Sequence, residues 1–267
     1  MKKFIPLFIA IILLIIFHLF NFIKPYITTN ISNISNVPSI SPALTPSTSP
    51  AAPLITNTPI STTNVICHLT IQNNDPSVDD ILRRYQIAFN TACPQIAARF
   101  ALEPDVAKNV VLKVEKMDGI AATSGGEITI NPEWMRQNPQ QVIGALIHEL
   151  THIIQAYPIY LVWFTEGMAD YSRSIYGPAD DDWSLPQSVS PSDSYKDGYG
   201  TAARFLHWLE QHTIPTIVDQ LNHTIQTGQS FSETFQRLTG STVDDQWSKY
   251  MANPALGPFK RIPAPDN

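Results

Sequence analysis

Hydrophobic and polar positions divide the chain into three stretches of different character. From Phe4 to Ile23 the residues are almost continuously apolar and carry no formal charge, with only Pro6, His18 and Asn21 as interruptions. About 20 residues cross a hydrocarbon core, and the run has that length without showing an amphipathic face. From residue 25 to 66 all periodicity is lost. No Asp, Glu, Lys or Arg stands between Lys24 and Asp75, and Pro38, Pro42, Pro46, Pro50, Pro53 and Pro59 punctuate a Ser/Thr/Asn-rich stretch. Such a segment reads as a semi-extended linker, whose roughly 40 residues would span on the order of 35 Å if flexible.

Periodic patterning begins near Cys67. Val78, Ile81, Leu82, Tyr85, Ile87, Ala88 and Phe89 recur at helical spacing after the start signals Pro76 and Ser77, and PQIAARFAL after Cys93 predicts a second, short helix. NVVLKVEKM predicts a strand, and GIAATSGGEITIN a hairpin turning at Ser124, Gly125 and Gly126. Two helices should then open at Pro132 and Pro139, the second with Asn138 as its cap. A polar loop over about 177–197 precedes helices near 199–212, 215–226, 231–239 and 242–251, and the tail from Asn253 is Pro-rich. Strands early and helices late predict an α+β fold over residues 67–252, preceded by a membrane segment (1–24) and a linker (25–66) and followed by a tail (253–267).

Charge narrows the partners. The formal net charge is −6, and setting aside Lys2, Lys3 and Lys24 leaves 14 basic against 23 acidic residues. Nucleic acid is therefore not the expected partner, because phosphate binding needs a basic face. Nor is there a polybasic patch for anionic lipid, so membrane contact falls to the N-terminal segment. Lys2 and Lys3 before the apolar run place everything after Lys24 outside the cytoplasm. Phe20, Phe22 and Ile23 stand where a cleavage site would have small residues, so the segment reads as an uncleaved signal anchor, with a cleaved signal as the alternative. The chain's two cysteines, Cys67 and Cys93, lie in the exported part and are expected to pair, the alternative being two buried thiols.

The chemistry is concentrated in NPQQVIGALIHELTHIIQAYP. His148 and His152, four residues apart on a helix, project from one face and can meet one metal ion. Glu149 is rotated by about 100° and can instead take a proton from a water in the open metal position. Val142, Ile143, Leu146, Ile147, Leu150 and Ile154 surround the motif, so the helix is buried, and two histidines with a carboxylate in it need a partner. A third histidine six residues after the second is absent, since Pro158 stands there. TEGMADYSR instead presents Glu166 as third ligand, with Thr165 as helix cap, and Asp170 one turn later to orient a ligating histidine, expected to be His148. Zinc is the ion this donor set implies.

HELTHIIQAY, WFTEGMADYSR, DGYGTAARFLHWLE and FQRLTGSTVDDQWSKYM together resemble the basic secretory protein family, whose members are similar to gluzincin metallopeptidases. The resemblance covers roughly residues 75–251. It implies a zincin-like fold, with a small mixed sheet over the active-site helix, zinc on His148, His152 and Glu166, and Glu149 as catalytic base. The expected activity is cleavage of polypeptide, with Tyr199 donating a hydrogen bond to the oxyanion and His207 as the second candidate for that task. The strand Glu127–Asn131 is expected to line the cleft and accept a substrate as an added strand. The alternative function is a zinc-stabilised module that binds the envelope or cell wall and cleaves nothing.

Overall fold

A computed structural model describes residues 65–106 and 108–258. The expected anchor at 1–24, nearly all of the linker and residues 259–267 of the tail lie outside the described residues. Among the described residues no helix is long and apolar enough to cross a membrane.

The fold is α+β. Four strands, β1 (Cys67–Gln72), β2 (Lys108–Val114), β3 (Ala121–Ser124) and β4 (Glu127–Ile130), form one sheet in the order β1-β2-β4-β3. β1 and β2 pair in parallel, as do β2 and β4, while β3 and β4 form the antiparallel hairpin. The helices are α1 (Asp79–Phe100), α2 (Pro132–Gln137), α3 (Val142–Gln155), α4 (Val162–Tyr176), α5 (Tyr199–His212), α6 (Ile217–Gln226), α7 (Phe231–Thr239) and α8 (Val243–Ala252).

Alternation decides which face of the sheet is covered. Val110, Leu112, Ile128 and Ile130 are fully buried, whereas His68, Thr70, Gln72 and Asn109 are exposed on the other face. The covered face packs on α1 and α3, and α3 runs closest to β3. Beyond α3 lies α4, which packs in turn against α5. A disulfide between Cys67 and Cys93, Cα atoms 6.3 Å apart, ties the first residue of β1 to α1. On the chain-entropy account a loop of that length contributes ~3 kcal/mol.

Several expected boundaries move. PQIAARFAL is not a separate helix: α1 continues through Pro94, which costs one backbone hydrogen bond, while Phe89, Ile96 and Phe100 stay buried on one face. Asn138 does not cap α3. It ends α2, with its N–H on Trp134 O, and α3 starts only at Val142 after a turn closed by Gln141 N–H on Asn138 O. Thr165 does not cap α4 either; the helix begins three residues earlier, after Leu161. β1 adds a strand to those expected: Cys67, Leu69 and Ile71 alternate with His68, Thr70 and Gln72, and CHLTIQ pairs in parallel with β2. The largest correction concerns β4. It is hydrogen-bonded to β2 on one side and β3 on the other, so it cannot accept an added strand, and β3 is the edge beside α3.

Candidate metal centre

α3 is buried from Val142 to Thr151, so its polar residues face a cleft or a partner rather than bulk water. His148 is 8% and Glu166 6% exposed. The helix stops where Ala156 turns left-handed at φ 44°, and residues 156–161 carry the chain back so that α4 lies against it. Glu166 and Asp170, one turn apart on α4, then face the two histidines.

Three donor atoms converge. His148 Nε2 lies 3.2 Å from His152 Nε2 and 3.2 Å from Glu166 Oε2, and His152 Nε2 lies 3.6 Å from Glu166 Oε2. Two atoms held ~2.0–2.1 Å from a zinc ion at tetrahedral angles stand ~3.3 Å apart, which is the spacing of this cluster. The far side of each ring agrees. His148 Nδ1 sits 2.7 Å from Asp170 Oδ1, and a carboxylate only accepts, so Nδ1 carries the hydrogen. His152 Nδ1 sits 2.8 Å from Gln155 Oε1, whose amide nitrogen donates to Thr165 O at 3.1 Å, so this nitrogen is also the donor. Both neutral rings thus turn Nε2 lone pairs toward Glu166, an arrangement that repels itself unless a cation sits among them. The residues present fit a divalent zinc ion.

Without metal, a proton does part of that work. Burial opposes the charged form of His148, but the carboxylates of Asp170 and Glu166 outweigh it and push its pKa up to about 10. Burial likewise opposes ionised Glu166, yet hydrogen bonds from His148 and His152 pull its pKa down to about 2. The same donors that bind a proton so firmly are those a metal would take over.

Glu149 does not join the cluster of ligand atoms. Its Oε2 accepts from Thr123 Oγ1 on β3 at 2.7 Å, which fixes the carboxylate between the sheet edge and the histidines. The hydroxyl of fully buried Tyr85 has no hydrogen-bond partner among the described residues, and burial, with Glu149 second, keeps it protonated far above its ordinary pKa. Tyr199 stands on the other side. Its ring stacks on His148 with centroids 6.1 Å apart and planes within 10°, and it remains 43% exposed. Burial, then the charges of Glu166, Asp170 and Glu149, raise its pKa, so the phenol is a proton donor at neutral pH. Its backbone is left-handed, φ 47°, a strained setting for a bulky residue that follows Gly198 at φ 72°. His207 is elsewhere. It is 2% exposed, its Nε2 bonded with Ser174 Oγ and its ring against Tyr171, so it has no access to the cleft.

Three contacts escaped the sequence reading. Tyr160 donates its hydroxyl to Glu166 Oε1, the oxygen turned away from the histidines. Gln155 orients His152, and Thr123 holds Glu149. Gln155 carries a local signal, since it sits three residues after His152 on the same helical face. Tyr160 and Thr123 come from a loop and a sheet edge, and nothing in their local sequence announces them.

A buried helix with His-Glu-x-x-His and a carboxylate from the next helix bring His148, His152 and Glu166 together as a cluster able to hold a metal ion, beside the edge of a short sheet. A family described as BSP, peptidase of plants and bacteria, matches residues 68–250, and the chain belongs to it. Among solved structures, a mutant of a two-domain M1 zinc metallopeptidase bound to L-tryptophan is similar at 17% identity and a TM-score of 0.44, over 65% of this chain. The chain spans 46% of that protein's length. No curated protein matches it.

Proposed function

We propose that this protein is a zinc-dependent peptidase of zincin-like fold that works outside the cytoplasm, held to the membrane by residues 1–24 through the linker at 25–66, its catalytic domain spanning residues 67–252. What carries the reading of the site is the spacing of three donor atoms, 3.2, 3.2 and 3.6 Å apart, beside a glutamate that is held back from them. His148, His152 and Glu166 would hold the ion, with Asp170, Gln155 and Tyr160 orienting them. When bound, zinc polarises the peptide carbonyl and lowers the pKa of a bound water to near ~7.

This chain's residues do the rest. Glu149 takes a proton from the attacking water and returns it to the leaving amine, and Thr123 keeps the carboxylate aimed while it does so. Tyr199 donates its phenolic hydrogen to the oxyanion as charge develops. Among the described residues no strand pairs with the outer side of β3, along which an extended polypeptide can lie as an added strand.

Binding the metal and using it are separable. Glu149→Gln keeps the size of the side chain and should retain about one zinc per chain while losing ~10²–10⁴-fold in cleavage of a peptide library. Glu166→Ala removes a ligand, so zinc content itself should fall. Full zinc in Glu166→Ala would refute the ligand set, and unchanged metal-dependent cleavage in Glu149→Gln would refute the base. A wild-type protein that holds zinc tightly and cleaves no peptide would favour the non-catalytic binding module.

A further inference from the structure

Three arginines are largely buried in the described part of the protein. Arg173 pairs with Asp181, and Arg99 with Asp219 and Glu210, as buried cations should. Arg204 does not. At 7% exposed it makes two hydrogen bonds, Nε to Pro186 O at 2.9 Å and Nη1 to Tyr250 Oη at 2.6 Å, and both partners are neutral. Among the described residues it forms no ion pair. The charge of Asp193 reaches the Tyr250 hydroxyl, but that carboxylate's Oδ2 is taken by Ser190 N–H at 2.7 Å, and it does not bridge to Arg204.

A buried guanidinium without a counter-charge is costly unless something anionic supplies one. The place for it is present. Arg204 lines a cavity of about 610 Å³ with Ser174 at one side, Leu185, Pro186 and Gln187 from the loop before α5, and Leu256 from the segment after α8. Nη2 makes no hydrogen bond to a described residue, which leaves the fork of donors on that side of the guanidinium for an occupant. The volume is that of a small-molecule site.

We propose that this cavity binds a small organic monocarboxylate, its carboxylate on Arg204 and its apolar body against Leu185 and Leu256. The lining contains no lysine and no second arginine, so the charge on offer is a single one. A phosphate dianion would want several cations or a helix N-terminus, whereas one guanidinium matches one carboxylate. The site is distinct from the metal centre, and the proposal does not rest on the peptidase reading. α4 and α5, which contribute Ser174 and Arg204 here, carry Glu166, Asp170 and Tyr199 nearer their N-terminal ends.

The test is calorimetric titration of the purified protein with hexanoate, beside hexan-1-ol and inorganic phosphate. Hexanoate should bind saturably in the millimolar range or tighter, with hexanol and phosphate at least tenfold weaker. Arg204→Gln should weaken hexanoate at least tenfold. That change also removes bonds to Pro186 and Tyr250, so a second variant guards against misfolding: Ser184→Phe, at the exposed mouth, narrows the cavity without touching the guanidinium and should weaken hexanoate to a similar degree. No saturation by hexanoate up to about 10 mM would overturn the proposal. So would equal binding of hexanol or phosphate, or affinity unchanged in both variants, which would place the carboxylate on the metal instead.

Discussion

At the scale of single residues, the centre is organised by what the far atoms of each ligand touch. Asp170, Gln155 and Tyr160 each hold one residue of the donor cluster by an atom that does not face the other two, and Thr123 holds the Glu149 carboxylate. Tyr199 is different, because its hydroxyl has no protein partner among the described residues and its ring is held by stacking on His148. Tyr199→Phe keeps that stacking and removes the donor. It should lower kcat about 10²-fold and leave zinc content and thermal stability unchanged. Normal turnover would remove Tyr199 from the mechanism. His207 makes a prediction of another kind. Burial, with Arg99 second, holds its pKa down at about 3, so it is neutral in the fold. Unfolded, it takes a proton near its ordinary pKa of ~6.5. Its contribution to stability is therefore complete above ~6.5 and is lost as pH falls from there toward 3, by up to a few kcal/mol. Urea unfolding of His207→Gln across that window should show a shallower acid loss than the native chain. Parallel curves would mean that His207 is not the group responsible.

At the scale of elements, the site depends on how closely α4 and α5 approach. Gly167 follows Glu166 directly, and a Cβ there would stand 2.6 Å from Ala202 Cβ and 3.3 Å from Ala202 carbonyl carbon, with α5 backbone behind it. Backbone cannot rotate away as a side-chain tip can. Gly167→Ala should push the two helices apart, cost ~1–3 kcal/mol, and weaken zinc binding by moving Glu166 against His148. Ala202→Gly in the same chain vacates the colliding methyl and should recover part of the loss. If Gly167→Ala leaves both melting temperature and zinc affinity unchanged, the contact does not position the ligand. The sheet tells a similar story: EITI has the alternation of a strand that could lie anywhere, and its pairing on both sides passes the edge position to AATS.

At the scale of the whole molecule, the uncharged linker and the disulfide point the same way. A Cys67–Cys93 bond suits an oxidising compartment, and the proposed placement outside the cytoplasm rests on Lys2 and Lys3 before an apolar run. Protease added to intact cells should cut within residues 25–66 and release the domain with its disulfide intact. Complete protection would reverse the orientation, and a domain already soluble and lacking residues 1–24 would mean that the segment is cleaved.

The sequence alone determined whatever depends on separations of a turn or two. A 3.6-residue period puts His148 and His152 on one face and Glu149 off it, and the same period joins Glu166 to Asp170, so the core of the centre was legible without coordinates. Burial of α3 was legible for a related reason, since apolar residues surround the motif on nearly every side. Tertiary structure decided the rest. Which strand is the edge, that Tyr160 reaches Glu166 and Thr123 reaches Glu149, that His207 is sealed in the core, and that Arg204 meets no acid among the described residues all depend on chain segments meeting across loops. Helix starts fell in the same class: Pro139 and Thr165 are sound local signals, but packing of α3 on the sheet and of α4 on α3 fixed where each helix begins. Local propensities are worth a few tenths to about 1 kcal/mol each, and burial of the flanking apolar residues outweighs them.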